Sequence, residues 1–388
     1  MTTGHQFDAI IVGAGYVGCS TAYHLSKAGL KTAILDQGSI AAGASRANFG
    51  NIQIQDLELG ASIPMILLAR TKFATLEEEL DWKLGLGPLS SLLVIDNEHQ
   101  WQMLAEREKI LQAIGIQAEL ISAERLPEIE PNIDPRHLLG ALYHPYESHL
   151  DPFMLINAYL TRAWEKGLQE FYYCPVTDFV LANGRIQALV TPQGNFSAKH
   201  IILCTGAYTA SLGEKLGRKW DLLHYILGQA MVTEQSPIRL HNQLSSASFF
   251  EMEADIPPGV IVANMAISQS THGNLLLGES MFEAPHFKTK VPAKAMPLIS
   301  RSVLNYFPSF KDLRIIRSWG TAVADTRDGL PLFGPVNSLP GLYIATAFRS
   351  TVIITPLVGE TLAQLITTGS SELDIQAFLP ERKAHVSH

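Results

Sequence analysis

Gly13, Gly15 and Gly18 stand in the spacing GxGxxG directly after the apolar stretch Ala-Ile-Ile-Val at 9–12. The first glycine permits a tight turn, the second lets a pyrophosphate approach the main chain, and the third lets a helix pack closely on the strand. Phosphate oxygens placed there would meet the free N–H groups and the positive end of that helix, beside Tyr16 and Val17. A second strand, Thr32–Leu35, leads into Asp36, whose carboxylate can accept hydrogen bonds from an adenosine ribose. The chemistry is dinucleotide binding. NAD and FAD share the ADP half, so both are open on these residues alone.

Strand, turn and helix must hold those groups in place. Gly18, Ala22 and Leu25 form the narrow stripe that packs on a sheet, and Gly29 stands where a C-cap glycine belongs. With 388 residues, 47% of them apolar and 17% charged, the chain can bury a large core and is expected to form two domains. A net charge of −8 with no dense Lys/Arg run argues against a general nucleic-acid binder. Cys19, Cys174 and Cys204 lie in apolar or near-apolar segments and read as buried, reduced thiols. No Cys/His spacing calls for a metal, and none is expected. The strand begins within the first ten residues, leaving no room for a signal peptide, and no uninterrupted apolar run reaches the ~18 residues of a membrane helix. The expected location is cytoplasmic, with peripheral attachment to the inner face of a membrane left open.

Along the chain, Leu92 to Ile95 reads as a strand and Glu98 to Ile114 as a polar helix ending at Gly115, followed by a proline-bounded turn from Leu126 to Pro131. Asp151 and Pro152 are the N-cap and first residue of a helix running to Trp164. Strand-like pieces follow at 171–173, 179–182 and 186–190, and a buried strand from His200 runs into a glycine turn. Segment 221–314 carries strand signals at 229–233, 260–263 and 274–278, which predict an antiparallel sheet capping the cofactor. A strand at 341–345 and an apolar helix over 356–366, closed by Gly369, complete the chain. The predicted fold class is α/β. A Rossmann-like dinucleotide domain (1–84, 145–220, 315–388) is interleaved with an antiparallel-sheet substrate domain (85–144, 221–314).

Several distant segments resemble the D-amino-acid oxidase-like flavoproteins, which include glycine oxidase, sarcosine oxidase, D-amino-acid dehydrogenase and the flavin subunits of opine and hydroxyproline dehydrogenases. Gly43-Ala-Ser-Arg-Ala-Asn-Phe-Gly-Asn51 is similar to that family's second FAD loop. Leu126-Pro-Glu-Ile-Glu-Pro131, His149-Leu-Asp-Pro152, Leu203-Cys-Thr-Gly-Ala-Tyr208, Trp319-Gly with Asp328-Gly-Leu-Pro331, and the run from Gly341 to Pro356 match further segments in order. The resemblance implies a glutathione-reductase-type FAD domain and non-covalent FAD rather than NAD. It places Gly43, Ser45 and Arg46 by the pyrophosphate, and Asn48, Phe49, Gly50 and Asn51 beside the isoalloxazine. Val176, Thr205, Gly206, Ser350, Thr351 and Val352 become further cofactor contacts. Arg46 suits a phosphate because its planar fork donates two parallel hydrogen bonds.

The same resemblance implies oxidation of a C–N bond, with hydride passing from the substrate's α-carbon to flavin N5 and with no need for an enzymic base. No Ser, His or Cys is read as a nucleophile, and His149, His224, His241 and His272 read as loop or cap residues. The chain departs from the family where Val323 stands in place of the arginine that holds a substrate carboxylate. Arg349 is the leading replacement, with Arg327 and Arg317 behind it. The expected activity is dehydrogenation of a small amino acid, D-amino acid, hydroxyproline- or proline-like imino acid, or opine-type secondary amine. A homo-oligomer or an electron-accepting partner subunit would accompany it. A 2-hydroxy-acid dehydrogenase and a non-catalytic flavin or electron-transfer subunit are the alternatives.

Overall fold

The computed structural model describes residues 5–55, 59–253, 260–283 and 292–383, so parts of the expected cap at 254–259 and 284–291 lie outside the described residues. Strand His5–Val12 pairs in parallel with Thr32–Leu35 on one side and Gly194–Leu203 on the other. All four residues of Thr32–Leu35 are buried, as befits a parallel strand covered on both faces. The sheet continues outward through Leu342–Thr346 to Leu332–Pro335 on one flank and to Gln169–Phe171 on the other. A hairpin, Asp178–Ala182 with Arg185–Thr191, extends from Gly194–Leu203.

Helix Tyr16–Lys27 covers this sheet and packs against Pro152–Trp164 and Thr351–Thr368. The approach is close: a Cβ on Gly359 would lie 2.2 Å from Ser20 Oγ. Asp151 caps its helix as expected, accepting from the N–H groups of Phe153 and Met154. The C-terminal helix begins at Thr351 rather than Pro356, because the proline is accommodated inside it, and it closes at Gly369 with φ +82°. It is long and apolar enough in composition to cross a membrane, yet residues 352–359 are buried without a break in this core.

The second sheet runs in the order Ile315–Thr326, Leu223–Gln235, Asn274–Glu283, Val262–Gln269, Asn242–Ser246, Gly87–Ile95, Gly140–His149, Asn51–Ile52, with Glu119–Ser122 also paired to Gly140–His149. One face, carrying Leu92, Met231, Leu244, Ile267 and Leu277, is closed by Ile299 and Val303 of helix Ala295–Tyr306. The other face turns toward the nucleotide-binding elements.

Five features depart from the sequence reading. Strand Asn242–Ser246 and helix Ala295–Tyr306 were not anticipated. Strand Ile315–Thr326, assigned by sequence to the nucleotide domain, is hydrogen-bonded along its length to Leu223–Gln235 of the second sheet. Strand Gly140–His149 likewise runs through the boundary drawn at 144/145. Partner choice between strands is decided by long-range pairing, which local composition does not report. Leu126–Ile129 is a helical turn rather than a plain proline-bounded turn.

Candidate active site

The GxGxxG turn is shaped as its chemistry requires. Gly13 adopts φ +108°, and a Cβ there would come within 2.3 Å of the Cys204 carbonyl oxygen. Gly18 is packed beneath, where a Cβ would lie 1.9 Å from the Gly13 carbonyl oxygen. Helix Tyr16–Lys27 starts from Gly15 with no side-chain cap and no acidic residue in its first turn. No carboxylate of its own first turn offsets its positive end. Ser45 reaches back to accept from the Tyr16 N–H at 3.2 Å, which joins the second loop to this cradle. Asp36 accepts from the N–H groups of Ala14 (2.7 Å) and Gly38 (2.8 Å), which fixes its carboxylate at the end of strand Thr32–Leu35.

A cavity of about 480 Å³ opens over these groups. Gly13, Gly15, Tyr16, Val17, Asp36 and Gly43 line it on one side. Ser45, Arg46, Val176, Thr205, Gly206 and Thr351 continue the lining. Arg46 is exposed and makes no hydrogen bond or ion pair with the described residues, and Lys215 is the second cation in the wall. Small residues, a helix start without an acidic residue in its first turn, one fixed carboxylate and an unpaired guanidinium together fit an adenine dinucleotide. The cysteines add no nucleophile: burial pushes Cys204 up to about 12 and Cys19 well above the ordinary thiol value. Cys19 and Cys174 are buried as expected, while Cys204 is only partly enclosed.

The far wall comes from the second sheet, through Thr321, Ala322, Val323 and Ala324 of Ile315–Thr326. The loop from Asn48 to Asn51 does not line this cavity; it joins the cavity's rim to the second sheet. Asn48 Oδ1 accepts from the Gly50 N–H at 2.7 Å, and Gly50 sits at φ +86°. The Phe49 ring lies over Gly278, where a Cβ would meet it at 3.3 Å. His149 Nε2 donates to the Phe49 carbonyl at 3.0 Å, and burial lowers the imidazole's pKa despite that bond. Asn51 exchanges hydrogen bonds with the Ser268 hydroxyl at 2.9 and 3.0 Å. Gln55 donates to Ser245 at 3.2 Å.

Gln243, Ser245 and Ser268 share this inner face, since Ser245 pairs with Ala266 and alternate residues point the same way. They are polar positions that sequence reasoning missed. The only local signal was the run Asn-Gln-Leu-Ser-Ser at 242–246, which lacks the β-branched residues that mark a strand.

The candidate arginines are placed differently from one another. Arg349 binds Asp325, with Nη2 at 2.9 Å from Oδ2 and Nε at 3.3 Å from Oδ1. His224 Nε2 stands 3.8 Å from the same Asp325 Oδ2. Arg349 lies one residue beyond Phe348, which is in the cavity wall. Arg327 is largely exposed and 3.9 Å from Glu283, and Arg317 is exposed on strand Ile315–Thr326. Ser350, at φ +44°, precedes the C-terminal helix, and Val352 is fully buried within it.

This two-sheet architecture with a glycine-turn cradle is that of a dinucleotide-binding protein. A family model described as FAD dependent oxidoreductase matches residues 8–365, and the chain belongs to that D-amino-acid oxidase-like family. FAD is its cofactor. Glycine oxidase of Geobacillus kaustophilus (strain HTA426) is 25% identical over 382 residues, covering 96% of each chain. An opine oxidase subunit of Rhizobium meliloti is 22% identical over 400 residues, covering 97% of this chain and 98% of that one. Among solved structures, L-proline dehydrogenase from P. horikoshii superposes with a TM-score of 0.85 at 21% identity over 97% of both chains.

Proposed function

We propose that this protein dehydrogenates a C–N bond of a small amino acid, D-amino acid, proline- or hydroxyproline-like imino acid, or opine-type secondary amine, using non-covalently held FAD. The observation that carries the reading is the shared cavity, cradle on one side and Thr321–Ala324 of the second sheet on the other. The relatives' names, glycine oxidase, opine oxidase and L-proline dehydrogenase, fall within that substrate range. Bound FAD would supply the two-electron oxidant that takes hydride from the substrate's α-carbon.

The chain's own residues bind and orient. Gly13, Gly15 and the helix end receive the pyrophosphate with Ser45 and Arg46, and Asp36 takes the ribose. Thr205, Gly206, Thr351 and the backbone near Ser350 and Val352 set the flavin's position, and the loop from Asn48 to Asn51 braces the rim of the cavity against the second sheet. The bond between Asn51 and Ser268 joins the flavin loop to the inner sheet face and helps keep water out. Arg349, aimed by Asp325, binds the substrate carboxylate, and Arg327 is the reserve. The substrate amine reacts in its neutral form. An electron-accepting partner subunit takes the electrons onward.

Val323 favours a second reading, a flavin subunit without a substrate site of its own. Anaerobic absorbance of the purified protein, challenged with D-, L- and N-substituted amino acids, separates the two. Bleaching by one class supports the dehydrogenase, and recolouring in air would identify an oxidase instead. A yellow protein that no amine bleaches supports the second reading.

A further inference from the structure

We propose that Lys215 is a cofactor-binding residue, a second cation that takes the phosphate charge of the adenine dinucleotide together with Arg46. The assignment concerns how the cofactor is held and is independent of the reaction the flavin carries out.

Helical spacing puts Lys215 in place. The turn Gly206–Tyr208 leads directly into helix Thr209–Lys215. Tyr208, Ser211, Leu212 and Lys215 all line the large cavity. They stand at i, i+3, i+4 and i+7, so one continuous face of this segment is presented to it. The backbone beneath is anchored. Leu212 belongs to the apolar cluster that includes Leu216, Trp220 and Cys174, Gly213 leaves no room for a Cβ beside Trp220, and the Ser211 hydroxyl donates to the Tyr208 carbonyl at 2.9 Å. Lys215, by contrast, is exposed, and its ammonium makes no hydrogen bond or ion pair among the described residues. A fixed stem thus carries a flexible point charge over the cavity.

Charge says what that cation meets. Among the described residues lining the cavity, the charged ones are Asp36, Arg46 and Lys215. Asp36 is engaged by the N–H groups of Ala14 and Gly38, at the end where a ribose is read. Arg46 and Lys215 are paired neither with it nor with any other described residue, and Glu214, beside Lys215, does not line the cavity. Two cations without a protein counter-ion match the two negative charges of a pyrophosphate. They arrive on different segments: strand Ile315–Thr326 packs against both the turn Ala44–Ala47, which carries Arg46, and the turn Gly206–Tyr208, from which the Lys215 helix grows. A dinucleotide held by both cations ties those two segments together.

Titration of FAD, ADP and adenosine onto the full-length chain freed of flavin tests this, read by quenching of flavin fluorescence for FAD and by calorimetry for the other two. Lys215→Gln is expected to weaken FAD and ADP by about tenfold at low salt, and to leave adenosine, which carries no phosphate, unchanged. Lys215→Arg keeps the charge and should stay within about threefold of wild type. Added salt should weaken FAD binding less in Lys215→Gln than in wild type, because one screened contact has gone. Lys219→Gln removes an exposed lysine that does not line the cavity and should leave all three ligands unchanged. Four outcomes would overturn the proposal: unchanged FAD affinity in Lys215→Gln, an equal loss for adenosine, an equal loss in Lys215→Arg, or an equal loss in Lys219→Gln, which would make the effect one of net charge rather than of contact. None of these depends on the protein oxidising an amine.

Discussion

At the scale of single residues, Arg349 is the proposed replacement for the carboxylate-binding group that Val323 does not supply. Val323 contributes no charge to the cavity wall, while two residues further along the same strand Asp325 takes hold of Arg349. Asp325 is 7% exposed and accepts from the Thr326 N–H at 2.9 Å, so it is a fixed anchor. Arg349→Ala is expected to raise KM for carboxylate substrates by about 10–100-fold, the loss of a partly desolvated charge pair. Asp325→Asn should raise it less, because the guanidinium remains but is held less firmly. Steady-state kinetics on matched acid and amide substrates reads this. Equal KM changes for both would mean Arg349 supports the interface rather than the carboxylate.

Between elements, the C-terminal segment is tied to the strand block by one arginine. Arg382, with 5% of its side chain exposed, donates from Nη2 to Asp328 Oδ1 at 2.8 Å and from Nε to Oδ2 at 3.0 Å. It also donates to the carbonyls of Pro331 and Phe378. Arg382→Ala leaves the buried Asp328 carboxylate without its counter-ion and should cost about 3–5 kcal/mol. Burial by itself raises the Asp328 pKa, but Arg382 outweighs it and holds the carboxyl below its ordinary 3.8. That stabilisation is fully present above the ordinary value and is lost as pH falls through the lowered one. Wild type should therefore lose stability below about pH 4 by more than Arg382→Ala loses over the same range. Parallel melting curves of the two against pH would contradict this.

The same scale explains what the sequence could and could not reveal. The Rossmann elements were legible because apolar runs and glycines are local. Helix Ala295–Tyr306 was not, since Pro297 interrupts its first turn and hides the spacing of Ile299 and Val303. At the site, the cradle and the 43–46 loop could be read from motifs. The Arg349–Asp325 pair and the wall at 321–324 could not, because they depend on which sheet receives strand Ile315–Thr326.

For the whole molecule, both sheets meet at one cavity, so cofactor binding and folding are linked. The nucleotide side offers Gly15, Asp36 and Arg46, and the second sheet offers Thr321 to Ala324. A ligand that binds only this assembled state stabilises it by RT ln(1 + [L]/Kd), about 2.7 kcal/mol at one hundred times Kd. In a chain of this size that amounts to roughly 3 °C in Tm. Deflavinated protein should melt lower by about that amount and recover when FAD is restored at this excess. ADP, which fills the cradle without reaching the second sheet, should restore only part of the shift. Gly15→Val supplies the control: its side chain would crowd the cradle, where a Cβ already lies 2.8 Å from Ser45 Oγ, so added FAD should not raise its Tm. If ADP restored the full shift, the second sheet would contribute nothing to holding the cofactor, and the cavity would be a nucleotide cleft rather than a joint between two sheets.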